Sequence, residues 1–171
     1  TSFATLVRDR LDPKRHAYFE LSDKVWDGAN FATADYFRQL ANTWYGSTSV
    51  ESCMDAYGGR SAEVFTAIRA VWAGQLSRLH TVLQGWTPVP TLSVNVFTAP
   101  QWRALGSGRP EPWTLATEYA VHCNMDGAMR GTDPEAGYDA VAEIQGWMDT
   151  LTDAEIYANM IQALRGTHPI V

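Results

Sequence analysis

The sequence predicts an all-α fold, a single helical bundle spanning residues 1–171 with one Pro/Gly-rich ordered loop at about 85–112. Three observations predict it. Phe65, Ile68, Trp72, Leu76, Leu79 and Leu83 recur at spacings of 3, 4, 4, 3 and 4, the stripe of one helix face. Asp12-Pro13 sets a capping residue before a proline suited to a first helical turn. Thr48 with Glu51, and Thr152 with Glu155, match the capping box, in which each side chain serves the other's backbone N–H.

In chain order, Phe3, Leu6 and Val7 give a short apolar turn, and a helix follows from Asp12-Pro13 over about 13–26 until Gly28 and Asn30 break the pattern. Thr33 caps a helix to about Tyr45 with Phe37, Leu40 and Trp44 inward. From Thr48 helix resumes as far as Gly58-Gly59. Ser61 caps the longest helix, about 62–84, which Gly85 ends. Pro88, Pro90, Pro100, Pro110 and Pro112 are five of the eight prolines, a density that forbids one continuous helix over 85–112. Within it LSVNVF alternates like a short strand, but one strand makes no sheet, so the stretch is read as loop.

Helix returns over about 113–129, where Trp113, Leu115, Tyr119 and Val121 also admit a strand reading. Thr132-Asp133-Pro134 opens a further helix, with Val141, Ile144, Trp147 and Leu151 inward. Ile156, Met160 and Leu164 carry the stripe to Gly166. The total is six or seven helices.

Composition narrows the function classes. Hydrophobic residues are 46% and charged residues 19% of the chain, a globular balance. Thirteen Lys and Arg against 19 Asp and Glu give −6, which argues against nucleic acid or an anionic membrane surface as partner. No apolar run has the length of a bilayer span. No basic segment followed by an apolar one stands at the start, and two cysteines make no disulfide scaffold, so a cytoplasmic location is expected.

Two histidine–carboxylate pairs could carry chemistry. His16 and Glu20 are four apart, so on a helix they share a face. They read either as a metal or haem ligand with its orienting carboxylate, or as a solvated pair. Glu118 and His122 repeat the spacing in reverse, followed by Cys123, Asn124 and Asp126. Together they could contribute to a carboxylate-bridged metal centre, although the Glu-x-x-His spacing of di-metal bundles does not occur. Cys123 also reads as a small buried hydrophobe. His80 lies beside the long apolar stripe and reads as packed or solvated, and His168 falls in the tail. No phosphate-binding glycine loop, G-x-S-x-G elbow or H-E-x-x-H is present.

Taken in order, RLDPKRHAYFE, FATADYFRQLANTWYGSTSVESCMDAYGG, LSRLHTVLQGWTPVP and PWTLATEYAVHCNMDGAMRG resemble the successive helices of bacterial haem oxygenases and the wider haem-oxygenase-like helical superfamily, over most of residues 6–130. The resemblance implies His16 as axial ligand to haem iron, with Glu20 beside it. It implies Lys14, Arg15 and Arg130 near the propionates, and Arg10 as a further candidate there. Tyr119 and Cys123 would line the other haem face, and Asp126 and Gly127 would stand at the catalytic positions of the distal helix. The family's second distal glycine is Cys123 here. The implied activity is oxidative opening of haem to biliverdin, carbon monoxide and iron, with electrons from a separate donor. Two alternatives stand beside it: a non-haem iron or other metal-dependent oxidase using His16, Glu118 and His122, and a non-catalytic accessory subunit that binds a protein partner.

Overall fold

Leu79 and Leu83, two members of the long apolar stripe, lie on a β-strand rather than on a helix. In the computed structural model, which describes residues 2–22, 25, 32–86 and 90–122, the chain is mixed α/β. The all-α bundle is thereby overturned, and with it the helical architecture that the resemblance implied. The chain divides into two compact units. The first, residues 1–85 and 91–120, carries almost everything described below. The second, residues 86–90 and 121–171, lies mostly outside the described residues. So do the elements expected from Cys123 onward.

Helix α1, Ser2–Arg10, precedes the expected first helix. Asp12-Pro13 then opens a turn. The Asp12 side chain accepts from the Lys14 backbone N–H at 2.8 Å, and its carbonyl accepts from Arg15 N–H at 2.9 Å. This is the same side-chain-to-backbone bond that caps helices, here closing a turn. After it the chain runs extended as β1, Ala17–Glu20, which buries Ala17 and Phe19 and exposes Tyr18 and Glu20. The helix expected over 13–26 is therefore a turn and a strand.

Helix α2, Ala32–Tyr45, matches its expected span and buries Ala34, Phe37 and Ala41. Helix α3 runs unbroken over Val50–Val71, with Ser49 as its cap accepting from Ser52 N–H. The helix stop expected at Gly58-Gly59 and the restart at Ser61 do not occur. Those glycines serve close approach instead. A Cβ on Gly58 would stand 2.1 Å from the Val96 carbonyl oxygen, and one on Gly59 would stand 2.3 Å from the Trp102 ring.

Beyond α3 a 3₁₀ turn, Leu76–Arg78, leads into β2, Leu79–Trp86. The stretch read as a Pro-rich loop holds two short helices. Helix α4 spans Pro90–Thr98 and α5 spans Pro100–Ala104. Each starts on a proline, the position where the missing N–H costs nothing. A second 3₁₀ turn, Pro112–Leu115, precedes β3, Glu118–His122, in place of the helix expected from 113.

The three strands form one sheet in the order β1–β2–β3. β1 and β2 are parallel, with Ala17 opposite Leu79 and Tyr18 opposite His80. One sheet face is buried. Ala17, Phe19 and Leu79 join Ala4 of α1 and Trp72 after α3 in a core, with Val7, Leu11 and Ile68 against it. Thr81 is buried too, and ties β3 to β2 by accepting Thr117 N–H at its carbonyl. The opposite face carries Tyr18, Glu20, His80 and Glu118 toward solvent. Among the described residues no helix is long and apolar enough to cross a membrane.

Candidate functional site

Strand alternation sends every second side chain to the same face, so the fixed register of β1 and β2 sets Tyr18 beside His80. Their rings stack with centroids 4.4 Å apart and 13° between planes. His80 holds the centre of a chain of polar contacts across the sheet. Its Nδ1 lies 2.9 Å from Glu118 Oε1 on β3, and its Nε2 lies 2.8 Å from Nδ1 of His16, the residue just before β1.

The protons follow from what each group can do. A carboxylate only accepts, so His80 Nδ1 carries a hydrogen and donates it to Glu118. In the neutral tautomer this leaves the His80 Nε2 lone pair to accept the Nδ1–H of His16. His16 Nε2 is then a free lone pair at the end of the chain. His16 is exposed, and this nitrogen has no partner among the described residues. The His80 side chain is 21% exposed and that of Glu118 is 48% exposed, so the relay has a half-buried centre between two exposed ends.

The turn that presents His16 is held from the 3₁₀ turn that leads into β2. Arg78, two residues ahead of His80, donates from Nη2 to the Asp12 carbonyl at 2.8 Å and from Nε to the Arg15 carbonyl at 3.0 Å. Its third arm donates to Gln75 Oε1. A planar guanidinium with fixed donor directions suits such clamping of two carbonyls.

A second polar cluster has a different character. Asp55 of α3 is fully buried, and its Oδ1 accepts from the Tyr45 hydroxyl at 2.8 Å and Trp102 N–H at 2.9 Å. Its Oδ2 accepts from Gln101 N–H at 2.8 Å. Burial pushes the Asp55 carboxyl above its ordinary range, against the pull of these three donors. Burial, with Asp55 beside it, likewise holds the Tyr45 phenol well above its usual value. The cluster closes the start of α5 inside the core and leaves no oxygen for a substrate.

Of the residues singled out in the sequence, His16 and Glu118 are brought into one site, joined through His80. The sequence suggests a packed or solvated His80, and the structure makes it the member that connects the other two. Its signal was the alternation of Leu79, Thr81 and Leu83 against His80 and Val82, hidden because a spacing of four satisfies a helix and a strand alike. Glu20 is exposed at the end of β1, four residues from His16 along extended chain rather than one helical turn away. Lys14 and Arg15 are exposed in the turn. Tyr119 turns to the other face of the sheet, its ring 4.8 Å from Phe97. His122 ends β3, and its side chain lies outside the described residues, as do Cys123, Asp126, Gly127 and Arg130.

The helix expected to carry His16 as axial ligand is a turn followed by a strand. An axial ligand must reach iron inside a slot between two walls. His16 stands in that turn, is exposed, and has its Nδ1 engaged by His80, which leaves Nε2 as its unengaged ring nitrogen. Among the described residues no group of three or more His, Cys, Asp or Glu is arranged to hold a metal ion.

No protein-family model matches the chain, and neither a curated protein nor a solved structure does.

Proposed function

We propose that the protein is an enzyme whose catalytic group is Nε2 of His16, acting as base or nucleophile toward an electrophilic ester centre. The observation that carries this reading is the unbroken chain Glu118–His80–His16, with contacts of 2.9 and 2.8 Å and a free imidazole nitrogen at its exposed end. A carboxylate that orients a histidine, which in turn polarises a third group, is the general logic of activated nucleophiles. Here the third group is a second imidazole. When Nε2 of His16 takes a proton or attacks, its Nδ1 proton passes to His80 Nε2. The resulting imidazolium keeps its Nδ1 hydrogen bond to the Glu118 carboxylate. His80 and Glu118 are positioning residues for His16.

Hydrolysis of p-nitrophenyl acetate, a small neutral ester, tests the reading directly. The wild-type protein is expected to exceed His16→Ala by at least about a hundredfold, the low end of what a positioned acid–base group contributes. His80→Gln and Glu118→Gln should fall between the two, and His80→Gln should also change the pH–rate profile, which a merely structural role would leave alone. Equal rates for wild type and His16→Ala, with unchanged far-UV circular dichroism, end the proposal.

A further inference from the structure

We propose that His16 Nε2 is a phosphoryl-accepting site, with Lys14 and Arg15 as the counter-charges that hold the incoming phosphate. This inference rests on the reading of His16 as the reactive end of the relay and names the group that it takes.

Charge distribution carries the step from a general electrophile to a phosphoryl group. The whole chain is acidic, at −6. The segment that ends in His16 is the reverse: Arg8, Arg10, Lys14 and Arg15 stand against Asp9 and Asp12 alone. Arg8 is paired with Asp9 at 2.7 Å. Among the described residues Arg10, Lys14 and Arg15 form no ion pair. Arg78, at the end of the 3₁₀ turn that leads into β2, spends its donors on backbone carbonyls and Gln75, so its positive charge is uncompensated by any carboxylate among the described residues. A neutral acyl substrate would make no use of such a field, whereas a dianionic phosphoryl group would be drawn to it and its developing charge stabilised.

The turn also has fixed geometry. Asp12 and Arg78 lock the backbone from 12 to 15, so the two cationic side chains project from a rigid support immediately before the histidine. Rigid support is what allows a charge to be aimed rather than merely nearby.

The chemistry balances with an acyl phosphate or phosphoramidate as donor. The Nε2 lone pair of neutral His16 forms the N–P bond as the donor's P–O or P–N bond breaks. The leaving group departs as a carboxylate or, after protonation by water, as ammonia. The Nδ1 proton of His16 moves to His80 Nε2, leaving a neutral phosphorylated ring on residue 16 and an imidazolium on residue 80 beside Glu118. Transfer onward to water, or to a hydroxyl of an acceptor, reverses these proton movements.

The test uses the full chain with acetyl phosphate and, separately, phosphoramidate. Intact-mass measurement reads the gain of one phosphoryl group, and phosphorus NMR with peptide mapping reads its position. The expected label is on residue 16, acid-labile and alkali-stable, absent in His16→Ala and His16→Gln. In Lys14→Gln/Arg15→Gln labelling should slow by about tenfold, the scale of two exposed charge contacts. Added salt should slow wild-type labelling in the same direction. Wild type that cleaves p-nitrophenyl acetate through His16 yet takes no phosphoryl label refutes this inference while the broader reading stands. Absence of both activities removes both. A label on another residue, or labelling unchanged in the double variant, also overturns it.

Discussion

Arg78 shows how one side chain can govern a site that it does not belong to. Its guanidinium holds the Asp12 and Arg15 carbonyls, and so fixes where His16 meets His80. Arg78→Ala is expected to lower His16-dependent ester hydrolysis severalfold while costing only about 1 kcal/mol of stability, because the carbonyls it frees are exposed to water. Arg78→Lys should not restore the activity, since an ammonium lacks the fork that bridges two carbonyls. Ester kinetics beside urea denaturation separate the two effects. Asp55 is the opposite case, a buried group with a purely structural task. In Asp55→Asn the amide nitrogen, itself a donor, must face one of the Tyr45, Gln101 and Trp102 donors, a loss of about 1–3 kcal/mol. The pH dependence has a definite sign. Burial raises the Asp55 carboxyl in the folded state, so the folded chain holds that proton more tightly than the unfolded one. Its stability contribution is full below the unfolded carboxyl range and is lost as the pH rises through the folded value. Urea midpoints should therefore show wild type's margin over Asp55→Asn largest in acid and shrinking toward neutral pH.

Helix α3 sets the terms for its neighbours through the two glycines that local rules read as a stop. The Val96 carbonyl and the Trp102 indole occupy the space where their side chains would be. Alanine is the better helix former by about 1 kcal/mol, yet Gly58→Ala is expected to destabilise by about 1–3 kcal/mol, because the blocking atom is backbone and cannot swing aside. Thermal or urea unfolding checks the sign, and a stabilised Gly58→Ala would show that α4 does not pack as closely as described. The same element shows which signals were legible. Helix α2 is legible nearly to its ends, since its apolar face at Phe37, Leu40 and Trp44 and its surroundings agree. The 65–83 stripe suits one helix throughout, but only its first half is one. Phe65, Ile68 and Trp72 follow helical spacing, but Leu79 and Leu83 are four apart, which also puts two strand residues on one face. Leu76, inside the expected stripe, is exposed in the structure. His16–Glu20 and Glu118–His122 carry the same ambiguity, so their spacing could not say whether they lay on helices or strands.

The molecule as a whole is organised by a pairing distant in sequence. Ala17 of β1 lies opposite Leu79 of β2, and α2 and α3 fall between them. Parallel neighbours require such a crossover, and loop-closure entropy must be met before the pairing is rewarded. Refolding is accordingly expected in milliseconds to seconds, read by stopped-flow tryptophan fluorescence, with His16-dependent ester hydrolysis returning no earlier than the slowest major phase. Microsecond refolding, or activity before that phase, would show the site forming without the long-range pairing. The site depends on the sheet in a simple way: its three polar members come from the lead-in to β1, from β2 and from β3, and no two are near in sequence.

Some properties were written in the chain itself. The acidic balance, the absence of an apolar run long enough for a bilayer, helix α2, the helical start of α3 and the Asp12 turn chemistry all rest on composition or on contacts between residues close in sequence. The same chain supplied His16 and Glu118 as residues to watch. Only tertiary structure decided that segments 17–20, 79–86 and 118–122 are strands, that Gly58-Gly59 sits inside a helix, and that His80 joins the other two. A strand gains its hydrogen bonds from a partner elsewhere in the chain. A short segment whose apolar residues suit both periods therefore takes the form that its distant neighbour satisfies.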